Sequence, residues 1–105
     1  MILHITSKQE WLDAQQRGVY AAPSLETEGY IHCSTEKQAV HVAEAFYRGR
    51  TNLVVLCIDE EKLESEIKWE APKTPPAVEE LRSDLFPHVY GPINLTAVLS
   101  AVDLY

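Results

Sequence analysis

Runs of apolar residues of strand length, separated by turn signals, predict six strands, at residues 2–6, 30–33, 53–58, 67–70, 86–90 and 95–104. The run LVVLCI at 53–58 is apolar throughout, which is typical of a central strand covered on both faces. Gly91 and Pro92 predict a turn or bulge before the last segment. That segment fits either one long strand or a hairpin.

The first predicted helix follows the first strand directly. Ser7 and Glu10 have the spacing of a capping box, in which each side chain bonds the backbone amide of the other residue. Gly18 is a natural stop, so the helix is expected to end at about residue 17. Its inner face would consist of Trp11, Leu12 and Gln15.

A second helix is predicted by the same kind of signal. Thr35 and Gln38 repeat the capping-box spacing, and the helix is expected to run to about residue 47 before Gly49. The apolar residues at helical spacing on one face are Ala39, Ala43 and Phe46.

The segments between these elements complete the fold prediction. Residues 19–28 and the proline-rich residues 71–76 are expected to be loops, 59–63 a short helical turn, and 78–85 a turn of helix or irregular structure. The helices come early and the strands late. This order favours an α+β fold with a mixed or antiparallel sheet over a doubly wound parallel one.

Length and charge limit the classes of function. With 105 residues the chain is expected to form a single domain over 1–105, and 46% apolar with 24% charged residues is typical of a globular domain. Sixteen acidic and nine basic residues give a net charge of −7. This charge disfavours a long nucleic acid, whose binding requires neutralised phosphates, but allows one nucleotide held by a few local donors.

The sequence also indicates a compartment. No apolar run reaches the length of a membrane span, and a strand pattern begins at the first residues rather than a signal peptide. Cys33 and Cys57 lie in apolar runs without CxxC spacing, which predicts buried, reduced thiols. We therefore expect a cytoplasmic protein with no membrane partner. The oligomeric state stays open.

Three of the four histidines, His4, His32 and His88, fall in predicted strands. Alternate residues of a strand share a face, so each histidine has a hydroxyl-bearing companion two residues away. If the three strands are adjacent, one polar cleft forms, with the histidines as catalytic candidates. The alternative is that each histidine is a structural hydrogen-bonding group. The companions, taken as ligand-binding candidates, are Thr6, Tyr30, Ser34 and Tyr90.

Other polar residues are weaker candidates. Glu70 is either a surface carboxylate at a strand end or an acid that reaches into the cleft, and we include it among the ligand-binding residues. His41 is off the apolar face of its helix and is read as a surface residue. Arg50, close to a helix end, suits the helix dipole or a phosphate. The strand histidines lack local metal-ligand spacing, so we expect no metal site.

Longer motifs give a resemblance to a known family. The segments GYIHCST at 29–35 and FPHVYGPI at 86–93, with LHI at 3–5 and WE at 69–70, resemble the small bacterial family catalogued as domain of unknown function 952. The similarity covers nearly the whole chain. No activity is established for that family.

The family is itself similar to the ADP-ribosyltransferases, above all the RNA 2′-phosphotransferases. The resemblance implies two small packed sheets with two main helices, and it matches His4 and His32 to the two motif histidines of those enzymes. The first motif there reads His-Gly-Thr, where this chain has His-Ile-Thr. The late strand of this chain offers His88 and Tyr90 where those enzymes have a glutamate, and Glu70 is a poor positional substitute.

These observations lead to one main hypothesis and two alternatives. The main hypothesis is a cleft that binds a nucleotide of the NAD or ADP-ribose type, with NAD as a candidate substrate of an ADP-ribosyl- or phosphotransferase and no certain cofactor. The first alternative is a non-catalytic module that binds a small molecule or nucleotide on the same fold. The second is an interaction protein with structural histidines.

Overall fold

A computed structural model describes residues 1–72 and 84–104. The predictions for the proline-rich loop beyond residue 72 and for most of 78–85 lie outside the described residues. The first half of the chain forms β1 (Ile2–Ser7), α1 (Lys8–Arg17), β2 (Val19–Tyr20), α2 (Ser24–Thr27), β3 (Ile31–His32) and α3 (Glu36–Phe46). The second half forms β4 (Leu53–Ile58), β5 (Glu66–Glu70), β6 (Phe86–Tyr90), β7 (Ile93–Asn94), a 3-10 turn (Leu95–Ala97) and β8 (Val98–Asp103).

The described strands form three antiparallel sheets, in the orders β1-β4-β8, β3-β6-β5 and β2-β7. The α+β class is confirmed, whereas the expectation of two sheets is wrong. The additional sheet comes from β2 and β7, in which Tyr20 pairs with Ile93. Leu3 and Ser34 join the two larger sheets through backbone hydrogen bonds of 2.7 and 2.8 Å.

The longer strands lie where the apolar runs predict them, and the short elements do not. The expected loop at 19–28 contains β2 and α2, because two-residue strands and a single helical turn have no period that a sequence pattern can show. Residues 59–63 contain the expected short turn, in which the Lys62 amide donates to the Asp59 carbonyl and the Glu61 amide to the Asp59 carboxylate. The final segment begins with a 3-10 turn, and the Ala97 carbonyl there accepts from the Asp59 amide at 2.8 Å.

The helix ends follow the predicted signals with one instructive exception. The Thr35–Gln38 capping box is complete. Ser7 accepts from the Glu10 amide at 3.0 Å, but the Glu10 carboxylate does not return to Ser7. It lies 3.3 Å from the Thr6 hydroxyl instead. Only half of the first capping box therefore forms, and Glu10 is available to the cavity described below.

The helix faces differ from the expected ones in part. In α1, Ala14 is the fully buried residue, whereas Leu12 and Gln15 are exposed. In α3, Ala39 and Ala43 are buried but Phe46 is exposed. Alanines are thus the buried apolar residues of both helices, and Trp11 and Val42 pack partly buried against the core clusters beside them.

Strand β4 is covered on both faces, as its unbroken apolar run predicts. One face joins the main core, which contains Ile2, Ala14, Tyr20, Ala22, Ile31, Cys33, Val54, Leu56, Ile58, Val89, Ile93 and Ala97. The other face contributes Leu53 to a smaller cluster with Ile5 and Ala43. Cys57 faces this thinner side and is only partly buried, so its expected burial is wrong, whereas Cys33 is buried. Both thiols are free.

Among the described residues, no helix combines the length and the apolar character that a membrane crossing requires.

The turn between β6 and β7 requires a glycine at position 91. A Cβ at Gly91 would lie 2.5 Å from Oγ of Ser65, and this hydroxyl donates to the Pro92 carbonyl at 2.6 Å. Gly91→Ala must displace the hydroxyl and break that bond. We expect urea denaturation to show a loss of about 1–3 kcal/mol in the free energy of unfolding.

Gly18→Ala is the matched control. Gly18 has φ of 88° and no atom within 4 Å of an added Cβ, so only the left-handed conformation is penalised, by about 1 kcal/mol. Adding Ser65→Gly to Gly91→Ala removes the steric contact but not the loss of the hydrogen bond, so it should recover part of the loss. Equal losses for the two alanine variants, without recovery, would contradict the steric explanation.

Candidate functional site

All four histidines of the chain line one cavity of about 600 Å³. This volume is within the range of ~300–1,000 Å³ that is usual for small-molecule sites. The cavity lies between β1, β3 and β6 on one side and α3 on the other. The histidines are His4, His32, His41 and His88.

His4 is buried at one end of a chain of polar contacts. Its Nδ1 donates to the His32 carbonyl at 2.5 Å, and its Nε2 lies 2.7 Å from the Tyr20 hydroxyl. The Tyr20 oxygen lies 3.0 Å from Oγ1 of Thr6, which is in turn 3.3 Å from the Glu10 carboxylate. The chain links a buried imidazole to a carboxylate at the cavity wall, and all of these residues line the cavity.

Burial lowers the pKa of His4 to about 4, although the His32 carbonyl opposes the shift. The ring is therefore neutral at physiological pH. Since Nδ1 carries the hydrogen, Nε2 accepts the single hydrogen of the Tyr20 hydroxyl, which is then not donated to Thr6. Burial raises the pKa of that phenol, which keeps its proton.

His32 is at the open side of the cavity. Its Nε2 lies 2.9 Å from Oε2 of Glu28, and nearly half of the imidazole is exposed. Glu28 follows α2 and precedes β3, four residues before its partner. The pair therefore forms across the short connection that leads into the strand.

His88 is opposite His32 in the β3–β6 pair, but it is buried. Its Nδ1 lies 2.9 Å from Oε1 of Glu70, which also accepts from the Tyr90 hydroxyl at 2.6 Å. The ring of Tyr30 stacks on the imidazole at 4.1 Å and 15°. Hydrogen bonds from Tyr90 and then His88 lower the pKa of Glu70, and the carboxylate raises the pKa of Tyr90 to about 12.

The structure places the three strand histidines around one cavity, but only some of the proposed ligand-binding residues line it with them. Thr6 and Ser34 line the cavity with them. Three further candidates are not among its lining residues: Tyr30, Glu70 and Tyr90 contact the His88 ring or each other beside it. They hold His88 rather than face the cavity.

Sequence reasoning misplaced one histidine. His41 lines the cavity from α3, so the expectation of a surface residue remote from the site is wrong. The face of α3 that carries Val42, Ala45 and Phe46 also lines the cavity. Ala45 and Phe46 are exposed, whereas Val42 packs partly buried against the smaller core cluster.

Four further lining residues were missed as site candidates, or given other roles. The sequence pattern places Glu10 in a capping box, Glu28 in a loop and Arg50 close to a helix end, and no pattern marks Tyr20 as a site residue. The only local signal is the four-residue spacing of Glu28 and His32. The others reach the cavity through long-range packing, with Arg50 5.1 Å above the Tyr47 ring.

Within residues 1–72 and 84–104, no three histidine, cysteine or acidic side chains gather as metal ligands. The arrangement offers imidazoles, carboxylates, hydroxyls and one guanidinium around an otherwise apolar cavity. Such groups can bind the hydroxyls and phosphates of a polar ligand, or exchange protons with it.

The chain is similar to solved structures of a bacterial protein. The crystal structure of protein CC0527 from Caulobacter crescentus is 32% identical, with a TM-score of 0.83 over 99% of this chain and 85% of that one. The solution NMR structure of CC0527 is 33% identical, with a TM-score of 0.78 over 98% and 83%. No curated protein matches the chain.

The family profile described as "Protein of unknown function (DUF952)" matches residues 5–101, which include both histidine motifs and most of the cavity. The chain belongs to the DUF952 family.

Proposed function

We propose that the cavity binds a nucleotide of the NAD or ADP-ribose type. The observation that carries the proposal is that all four histidines line this one cavity. Surface histidines with unrelated structural roles would have no reason to converge there. Convergence of titratable side chains in a cavity of ligand size is the usual mark of a binding or active site.

The remaining lining residues support a ligand with phosphate and ribose groups. Arg50 provides a cation for a phosphate, and the hydroxyls of Ser24 and Ser34 suit ribose oxygens. Val42 and Phe46 provide apolar surface for a base. The resemblance to ADP-ribosyltransferases favours an adenine dinucleotide, and the net charge of −7 disfavours a long nucleic acid.

An NAD-dependent transferase is the catalytic form of this proposal. Cleavage of the nicotinamide bond builds positive charge on the ribose, which a nearby carboxylate stabilises. Glu10 and Glu28 line the cavity, whereas Glu70 does not. These two are therefore better candidates for that role than the carboxylate which the sequence indicated. The non-catalytic module differs by binding NAD without release of nicotinamide.

Titration calorimetry with NAD and ADP-ribose tests the binding. We expect His32→Ala to weaken binding by ~10- to 150-fold, because loss of a hydrogen bond to a charged group costs about 1.5–3 kcal/mol. Half of the His32 side chain is exposed, so the substitution should leave the fold intact.

His41→Ala is not a suitable control, because His41 lines the same cavity. Gln16→Ala, on the exposed face of α1, replaces a polar side chain outside the cavity and should bind as the wild type does. No binding heat from either ligand, with native circular dichroism, would refute the proposal.

A further inference from the structure

Two of the cavity histidines form hydrogen bonds with carboxylates, one through Nε2 and the other through Nδ1. Glu28 bonds Nε2 of His32, and Glu70 bonds Nδ1 of His88, both at 2.9 Å. An ionised carboxylate only accepts, so the nitrogen that faces it carries the hydrogen. The second nitrogen, Nδ1 of His32 and Nε2 of His88, is then the one that can exchange a proton with a ligand.

The two imidazoles are close enough to serve one reacting group. His32 and His88 are direct cross-strand partners, and their ring centroids are 5.6 Å apart, edge to face. Both line the cavity. Their surroundings differ, because nearly half of the His32 ring is exposed whereas the His88 ring is 3% exposed.

The buried histidine is held by contacts on two sides. Tyr30 stacks on its ring at 4.1 Å, and Glu70 is fixed in turn by the Tyr90 hydroxyl. These bonds also keep Glu70 ionised. A carboxylate in this position accepts from the ring nitrogen in either protonation state of the ring. The rigid frame limits the reorganisation that a proton transfer would need.

We infer that His32 and His88 are a general base and a general acid for the opening of a ribonucleoside 2′,3′-cyclic phosphate by water. The inference rests on the proposed nucleotide binding and adds a substrate class and a reaction. His32 is the base, because its exposed side is where water enters. His88 is the acid, because it is the partner shielded from water, and Glu70 accepts from its other nitrogen while Nε2 gives up a proton.

The reaction uses one proton at each histidine. Nδ1 of His32 takes a proton from water as the water oxygen forms a bond to phosphorus. The bond from phosphorus to one ribose oxygen breaks, and Nε2 of His88 gives its proton to that oxygen. The product is a nucleoside monophosphate, and exchange with solvent returns both rings to their starting states.

The choice of substrate follows from the pairing. Cleavage of NAD releases neutral nicotinamide, which needs no proton donor. The histidine that acts as the acid would therefore have no role in that reaction. A ribose alkoxide is a strongly basic leaving group and does need one. A cyclic diester is strained and therefore reactive enough for catalysis by two imidazoles. A mononucleotide is also of the size that a cavity of about 600 Å³ usually binds.

Hydrolysis of adenosine 2′,3′-cyclic phosphate tests the inference. We expect a bell-shaped dependence of kcat/KM on pH, since one histidine must be neutral and the other protonated. His32→Ala should lower kcat/KM at least 100-fold and remove the acidic limb. Gln16→Ala, outside the cavity, should leave the profile unchanged.

His88→Ala could unfold the protein, so Glu70→Gln is the second variant. The amide keeps the shape of the side chain but not its charge, and the alkaline limb should move to lower pH. Glu70 acts here as a positioning residue, and a merely structural role would not move that limb. Nitrogen-15 spectra should show the hydrogen on Nε2 of neutral His32 and on Nδ1 of neutral His88.

The outcomes separate the two proposals. Hydrolysis that falls in His32→Ala and shifts in Glu70→Gln supports the acid–base pair. Calorimetric binding of ADP-ribose without hydrolysis of the cyclic phosphate overturns the pair and leaves nucleotide binding in place. Hydrolysis that is unchanged in His32→Ala also overturns it. No binding of either nucleotide and no hydrolysis refutes both.

Discussion

Lowering the pH from 7.5 to 5 is expected to reduce the free energy of unfolding by about 2 kcal/mol through His4 alone. Burial lowers the pKa of His4 from an ordinary value of 6.5 to about 4 in the folded chain. Between these values the unfolded chain binds a proton that the folded chain does not. The stabilisation is fully present above pH 6.5, is lost as the pH falls, and its loss reaches about 3 kcal/mol below pH 4.

The hydrogen bonds explain why the folded state resists this proton. Nδ1 of His4 already donates to the His32 carbonyl, so a second proton would enter at Nε2, where the Tyr20 hydroxyl lies 2.7 Å away. That hydroxyl would have to change from donor to acceptor. The charge would also lie on a ring that is 7% exposed.

Urea denaturation of the wild type and His4→Asn at several pH values measures the effect. The asparagine amide can still donate to the His32 carbonyl but cannot titrate, so the dependence between pH 5 and 6.5 should largely disappear. Glu70, whose pKa is lowered in the folded chain, changes the free energy of unfolding only below about pH 4.5, outside this pH range. His41→Gln should keep the wild-type slope. An identical slope in His4→Asn would show that the buried ring is not responsible.

The apolar periodicity of the sequence predicted the larger elements because each is long enough to show a period. Strands β4 and β6 occur at the predicted positions, and β5 begins one residue earlier than expected. The two-residue strands β2 and β7 show no period, and their pairing places residues 19–20 against 93–94. Such a contact between distant segments is fixed by packing, which no local pattern reports.

The alternation of strand residues identified three of the cavity histidines but not how deeply each one is buried. His32 and His88 share a face of the β3–β6 pair, as alternation requires. His4 shares a face of β1 with Thr6, as alternation requires. That face and its partners on β4 also carry Ile2, Leu56 and Ile58, all fully buried. A polar residue on a core face looks the same in sequence as one on an open face.

The missed residues share a different origin. Glu10 and Glu28 come from a helix start and a loop, where alternation has no meaning, and His41 comes from a helix face judged by its apolar neighbours alone. Each reaches the cavity because separate elements pack around it. The strand pattern therefore indicates the histidines of the site, whereas the carboxylates Glu10 and Glu28 reach the cavity only through tertiary packing.

Leu56→Ala is expected to lower the free energy of unfolding by about 3 kcal/mol, within the range of ~2–5 for such changes in a core. Leu56 is fully buried in the main core and lies directly across from His4 in the central strand. The substitution removes three carbon atoms from a strand that is held on both sides by β1 and β8. The backbone cannot collapse into the space, so the cavity term adds to the lost transfer energy.

Leu99→Ala is the matched control, because it makes the same chemical change on the neighbouring strand β8. Leu99 is 55% exposed, so its truncation should cost less than about 1 kcal/mol. Urea denaturation at pH 7.5, where His4 is neutral in both states, isolates the packing effect from the titration. Losses of similar size in the two variants would mean that the β1–β4–β8 sheet does not have its core on the side of His4.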